Sequence, residues 1–414
     1  MDTMSRALAP VILATLLSAC AGRAARPTAP TPGPATTSLT PGADLVQRAG
    51  KRPLGPAAAD QARPGTGAPG GPYDLGEIKL VVTGKDVYGE PRIEAVSPTI
   101  LLDQAQAEID AGQPARAIAT LSRLAREFPG SPMAPSAMFN IGRLYEELKD
   151  PVHAIASYRD LVARHPTGQE SREGHLLIAG LEAESKRWLD ATRTLTEILA
   201  RTDLAHADRL EAQARLGYVQ LQAGDRAAAR LSLEAAIATW RRAQRIDDRY
   251  FIAMAHFYLG EIDHRAFAEL PLRPADDALR ADLTAKEQAA ARAYDHWKDA
   301  LIAQDPYWAL AAGYQMSQIF IELWETAVRA PFPTGLTADA RPFYVTEVHD
   351  RVRRHLETAL DGHQMNVKLA GAYGVDNAWS QASSLKAGEI LGILSREARG
   401  EAVVPAVAST SPHP

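Results

Sequence analysis

The chain has 414 residues, 46% of them hydrophobic and 23% charged, which is material for one large core or several stacked units. A net charge of -5, with no long basic run, points away from nucleic acid as a partner. The single cysteine excludes an intramolecular disulfide, so its position carries more meaning than its redox chemistry.

The residues before Cys20 read as an export signal. Arg6 supplies a positive start, Ala7 to Leu17 a short apolar run, and Leu17-Ser18-Ala19-Cys20 closes it. About ten apolar residues are too few to cross a bilayer core, which needs about 20. Residues 1–19 therefore read as a cleavable signal peptide. The four closing residues resemble the bacterial lipobox. The resemblance implies that Cys20 carries a diacylglyceryl group on sulfur and becomes the first mature residue. Two or three acyl chains, at about 0.8 kcal/mol per buried CH₂, would anchor the chain stably. Ala21 rather than Asp follows the cysteine, which in that resemblance implies sorting to the outer membrane, on its periplasmic face. An ordinary secretory signal with an incidental cysteine is the alternative.

Residues 20–72 hold this cysteine and then a run of Pro, Ala, Gly, Thr and Arg with almost no large apolar side chain. Such a segment cannot bury enough surface to offset ordering and reads as a disordered tether, with a span of roughly 40 Å. Gly65-Thr66-Gly67-Ala68-Pro69-Gly70 spells G-x-G-x-x-G, but no strand precedes it, no helix follows, and Pro69 interrupts it. Residues 73–97 carry short β-branched runs, Ile78 to Val82 and Ile93 to Val96, separated by Gly84 and Gly89. They read as a small hairpin or an extended arm.

Ser97-Pro98 then reads as an N-cap with Pro in the first helical turn, and a helical repeat follows over 98–265. Its clearest copy is AMFNIGRLYEELKDPVHAIASYRDLVARHP, Ala137 to Pro166, two helix-period patterns split by Lys149-Asp150-Pro151. Small residues recur early in each second helix at Ala117, Ala154, Ala191 and Ala229, with spacings of 37, 37 and 38. Four residues later stand Leu121, Tyr158, Leu195 and Leu233, and the first helices carry Ala105, Gly142, Ala179 and Gly217. A fifth first helix, Ile252 to Arg265, places Gly260 at that position.

This order resembles the tetratricopeptide repeat, and the turn phrase Phe128 to Ala137 resembles the repeats of bacterial envelope lipoproteins. The resemblance implies an all-α fold: a solenoid of helical hairpins, with divergent hairpins and a capping helix over 266–398. The chain departs from the family where Glu108, Glu182 and Gln220 replace the first-helix Tyr, and where Asp203 and Arg241 replace the closing Pro. Glu269 to Thr284, with Pro271 and Pro274, reads as an insertion before a helix over 285–302. Further helices are expected over 307–328, 343–360 and 377–396, with a loose tail over 399–414. The stretch Tyr307, Trp308, Tyr314, Phe320, Trp324 has helical spacing and reads as core.

In the family, the inner groove is lined by first-helix positions one and four after the small residue and three before it. Carried over, these are Phe139, Arg143 and Glu146 in the second unit, Tyr218 and Leu221 in the fourth, and Phe257, Glu261 and His264 in the fifth. Aromatic anchors beside charges suit peptide recognition. Glu261 and His264 form one Glu-x-x-His, but a di-metal carboxylate bundle needs two. His349, His355 and His363 share no i, i+4 face, and the histidines read as surface residues. With no Gly-x-Ser-x-Gly, no P-loop and the only thiol in the lipobox, the chain reads as a non-enzyme without cofactor or metal. The expectation is a lipid-anchored scaffold that binds envelope proteins of an assembly, secretion, pilus or motility machine. The alternative is a cell-wall module that binds or regulates peptidoglycan enzymes.

Overall fold

The computed structural model describes residues 78–85, 87–243 and 245–401. The expected signal peptide, Cys20, the expected tether and the residues beyond Glu401 lie outside the described residues.

The segment before the repeats is a hairpin. Strand β1 (Lys79–Lys85) pairs antiparallel with β2 (Pro91–Val96), with a register shift between Val82 and Gly84. An isolated two-stranded hairpin is marginal in water, so it needs something to lean on. It leans on the first repeat: Val96 is buried with Leu101 and Phe128, and the Lys79 ammonium lies 4.5 Å from the Phe128 ring centre. The opposite face, with Leu80 and Val82, stands in solvent.

Ten helices then form five hairpins: α1 (Pro98–Asp110) with α2 (Pro114–Glu127), α3 (Ala134–Glu147) with α4 (Pro151–Arg164), α5 (Gln169–Glu184) with α6 (Trp188–Leu199), α7 (His206–Gln222) with α8 (Arg226–Arg242), and α9 (Tyr250–Glu269) with α10 (Asp276–Ile302). A sixth hairpin, α11 (Pro306–Val328) with α12 (Arg341–Tyr373), and a final helix α13 (Ala378–Ala398) follow. Each helix packs on its sequence neighbour, and from α3 onward each first helix also packs on the next one. Helix α13 takes the place of a seventh first helix, against both α11 and α12.

Local signals start and stop these helices. Ser97, Asp150, Asp225 and Asp305 accept backbone N–H groups as N-caps, and Pro stands in the first turn of α1, α2, α4 and α11. The turn inside each of the first four units closes at a left-handed residue, Gly112, Lys149, Lys186 and Gly224. In each, the next N–H donates to a carbonyl five residues back, as Gln113 does to Glu108 at 2.8 Å. Glycine adopts this conformation freely; for Lys149 and Lys186 it costs about 1 kcal/mol.

Packing within a hairpin rests on one close approach. A Cβ at Gly142 would overlap the Tyr158 ring, one at Gly217 would overlap Leu233, and one at Gly260 would overlap Trp297. Tyr158, Leu233 and Trp297 are fully buried, as are Ala154, Ala229 and Ala293 four residues before them. The fifth unit is therefore complete, with Ala293 and Trp297 in the register of Ala154 and Tyr158. The expectation of an insertion up to Thr284 is corrected: only 270–275 is non-helical, and α10 starts at Asp276. Pro271 and Pro274 interrupt a helix only where they stand, while Leu279 and Asp282 beyond them are already buried. Helix α12 likewise runs past Leu360 to Tyr373 and stops at left-handed Gly374. The aromatic stretch of α11 is core, with Trp308 and Trp324 fully buried.

These approaches predict opposite outcomes for two glycines. Gly142→Ala, pressed against Tyr158, should lower stability by about 1–3 kcal/mol. Gly388→Ala on α13, where a Cβ meets nothing within 4 Å, should raise it by about 0.5–1 kcal/mol. Urea denaturation of the two variants measures both.

Candidate partner-binding surface

The residues expected to line a groove separate along the chain. In the second unit Phe139 is half-buried, its ring 5.6 Å from that of Tyr158. Glu146 is half-buried and accepts the Tyr158 hydroxyl, with burial pushing its carboxyl up. Arg143 is buried. Beyond the second unit the face closes. Tyr218 lies between Trp188 and Tyr258, with ring centres at 6.3 and 4.9 Å, and Leu221 is 1% exposed. Phe257 packs on Trp308 at 5.0 Å and on Trp379 at 6.3 Å. Glu261 accepts the Gln315 amide at 3.0 Å, and His264 Nε2 lies 2.6 Å from Glu322.

Burial thus corrects the expectation of an open groove at Arg143, Tyr218, Leu221, Phe257, Glu261 and His264. The physical reason is the size of the side chains between successive first helices. With Tyr218 and Phe257 at these positions and Trp308 packed on Phe257, α7 packs on α9 and α9 on α11 through the face a partner would need. The reading of the histidines as surface residues is corrected too, since His175, His264, His349 and His363 are buried.

The same contacts explain the departures from the family. Glu108 accepts the Thr120 hydroxyl at 2.7 Å, Glu182 that of Thr194 at 2.8 Å, and Gln220 that of Ser232 at 2.7 Å. In these three units, where Tyr is missing, a polar rung joins the two helices of the hairpin across twelve residues. Glu182, wholly buried, is also held by the Arg159 guanidinium at 2.5 Å. In the fifth unit Asp263 stands at the rung position, 3.7 Å from His296 and 2.9 Å from Arg230. That spacing of acid or amide to hydroxyl was the missed signal.

Among the described residues no group of three or more His, Cys, Asp or Glu could hold a metal ion, and no helix is long and apolar enough to cross a membrane. Among the described residues, a shallow surface depression of about 350 Å³ is lined by Gln113 to Arg116, and a space of about 10 Å³ between α5, α6 and α7 has room for little more than a water.

The His264–Glu322 pair makes a prediction with a sign. Burial opposes charge on the imidazole, but the hydrogen bond and charge of Glu322 outweigh it and raise the pKa. A raised pKa contributes stability that is complete below the ordinary value of 6.5 and is lost as pH rises through the folded value. Glu322→Gln should therefore cost about 1–2 kcal/mol at pH 6 and clearly less at pH 9, read by denaturant midpoints at the two pH values.

Comparison with known proteins agrees with the repeat. Residues 102–169 match the tetratricopeptide repeat family model. No curated protein matches the chain. Solved structures with similar folds include MamA 41-end from Desulfovibrio magneticus RS-1, at 14% identity over 47% of this chain and 93% of that one, with a TM-score of 0.32. A tetratricopeptide repeat protein from Parabacteroides merdae matches at 13% identity over 71% and 98%, with a TM-score of 0.33. Pseudomonas aeruginosa pilF matches at 17% identity over 55% and 95%, with a TM-score of 0.32. Such low scores carry nothing about what this chain does. The chain is an all-α solenoid of helical hairpins whose residues 102–169 carry the tetratricopeptide repeat.

Proposed function

We propose that the chain is a lipid-anchored scaffold that holds a protein partner of the cell envelope, tethered through Cys20 to the periplasmic face of the outer membrane. The observation that carries the scaffold reading is the registered stacking of hairpins, which builds an extended surface rather than a cleft. Leu17-Ser18-Ala19-Cys20 and the Pro-rich stretch after it support the anchor and the tether.

The partner contact belongs at the N-terminal units, because the first helices there keep open flanks. Gln106 occupies a groove position of the first unit and is exposed, and Asn140, Glu146 and Glu147 follow on α3. First helices pack on one another from α3 onward, and from α7 the groove positions themselves, Tyr218, Leu221 and Phe257, are closed by that packing.

Two measurements test this. Palmitate labelling in cells should mark the wild type and not Cys20→Ala; an unlabelled wild type removes the anchor. In pull-downs from mildly solubilised envelopes, Gln106→Arg with Glu147→Arg should cut recovery of a stoichiometric partner by about tenfold without lowering thermal stability. Recovery equal to wild type would place the contact elsewhere, and co-sedimentation with purified peptidoglycan in place of a protein partner would favour the cell-wall module.

A further inference from the structure

The sixth hairpin holds a group that the scaffold reading does not use. Its inner position, Gly313 on α11, faces Asn366 of α12 where the other units have Tyr, Leu or Trp. Asn366 Nδ2 donates to the Leu310 carbonyl at 3.0 Å and to Ser383 Oγ of α13 at 2.9 Å, so a polar side chain joins three helices. Beside it, one turn earlier on α12, His363 is fully buried and neither ring nitrogen has a hydrogen-bond partner.

The surroundings of that imidazole suit its neutral form only. From α11 the Tyr314 ring lies 5.3 Å away, and the same ring meets Trp379 of α13 at 5.5 Å. From α13 come Lys386 and Glu389, which hold each other at 2.8 Å. Glu322 and Glu325 of α11 act on Tyr314 and Lys386. On α12 itself, three and four residues either side of His363 stand Ala359, Leu360, Asn366 and Val367, none charged. The short 3₁₀ turn Ala338–Ala340, with Asp339, packs at the far end of α12, about 33 Å away along the helix. A proton on His363 would thus be a buried charge without an acceptor, next to an ammonium already matched by its own carboxylate.

We propose that protonation of His363 releases α13 from the α11–α12 hairpin, so that the last helix is a lid opened by mild acid. Opening gives the imidazole to water and uncovers Tyr314 and Asn366, the face on which a first helix packs. The other end of the lid behaves differently. His349 Nδ1 lies 2.8 Å from Glu397 of α13, a polar contact that ties that end of the lid to α12. The lid therefore opens from its N-terminal end at Ala378. His355, also depressed by burial, lies against Phe320 of α11 and reports on the hairpin rather than on the lid.

The sign follows from linkage. Burial, then the Lys386 charge, lowers His363 from 6.5 to about 4, so closure is complete above pH 6.5 and is lost as pH falls towards 4. The open form gains about 30-fold at pH 5 relative to pH 8. Amide hydrogen exchange on the full chain, corrected for intrinsic rates, should show that rise over 378–398 and little change over 98–164. His363→Gln keeps a polar side chain that cannot be charged and should flatten the pH response; His363→Leu serves as a second uncharged variant if the first misfolds. Exchange of 378–398 that rises less than threefold at pH 5, or rises equally in the uncharged variants, overturns the proposal.

Discussion

Everything in this solenoid depends on one contact, the approach of a bulky second-helix side chain to a first-helix residue that has almost none. Tyr158 over Gly142, Leu233 over Gly217 and Trp297 over Gly260 set how near the two helices of a hairpin lie. Dispersion falls steeply with small gaps, so helices that approach this closely keep contacts a larger residue would forfeit. Fixing that distance fixes the hairpin, and the hairpin presents its flank to the next. In the sixth unit the same place is taken by Asn366, which fills the space but needs hydrogen bonds to be there at all. A polar core at that one step makes the C-terminal end chemically unlike the rest.

Much of this was legible from residues alone. Alanines 37 or 38 apart with a large partner four residues on are a one-dimensional record of helix-on-helix packing, and the structure places them as that record implies. Prolines beside Ser97, Asp150 and Asp305 mark helix starts because their chemistry is local. The fifth unit escaped because extra helix between Gly260 and Trp297 breaks the spacing while leaving the contact intact. Helix α12 ran further than its pattern because glycine within a packed helix costs only about 1 kcal/mol, which neighbouring helices outweigh.

The groove was less legible for a physical reason. A repeat pattern says which residues face inward, not whether the inward face meets solvent or the next helix. Phe257 and Tyr218 sit at positions where the family resemblance puts partner contacts, yet their size lets neighbouring first helices close over them. Likewise Glu182 reads in the sequence only as a departure from the first-helix Tyr until Arg159 and Thr194 are seen around it. Buried polar pairs of this kind link different helices, and only three dimensions bring them together.

The break at 270–275 has a broader consequence. Because each helix touches only the units beside it, α10 could lengthen and the chain could wander without disturbing α1 to α6. In such a modular rod, damage or novelty stays local: a unit can be gained, lost or remodelled at the price of two seams. Short-range wiring of this sort also lets folding start at any well-formed hairpin and spread outward.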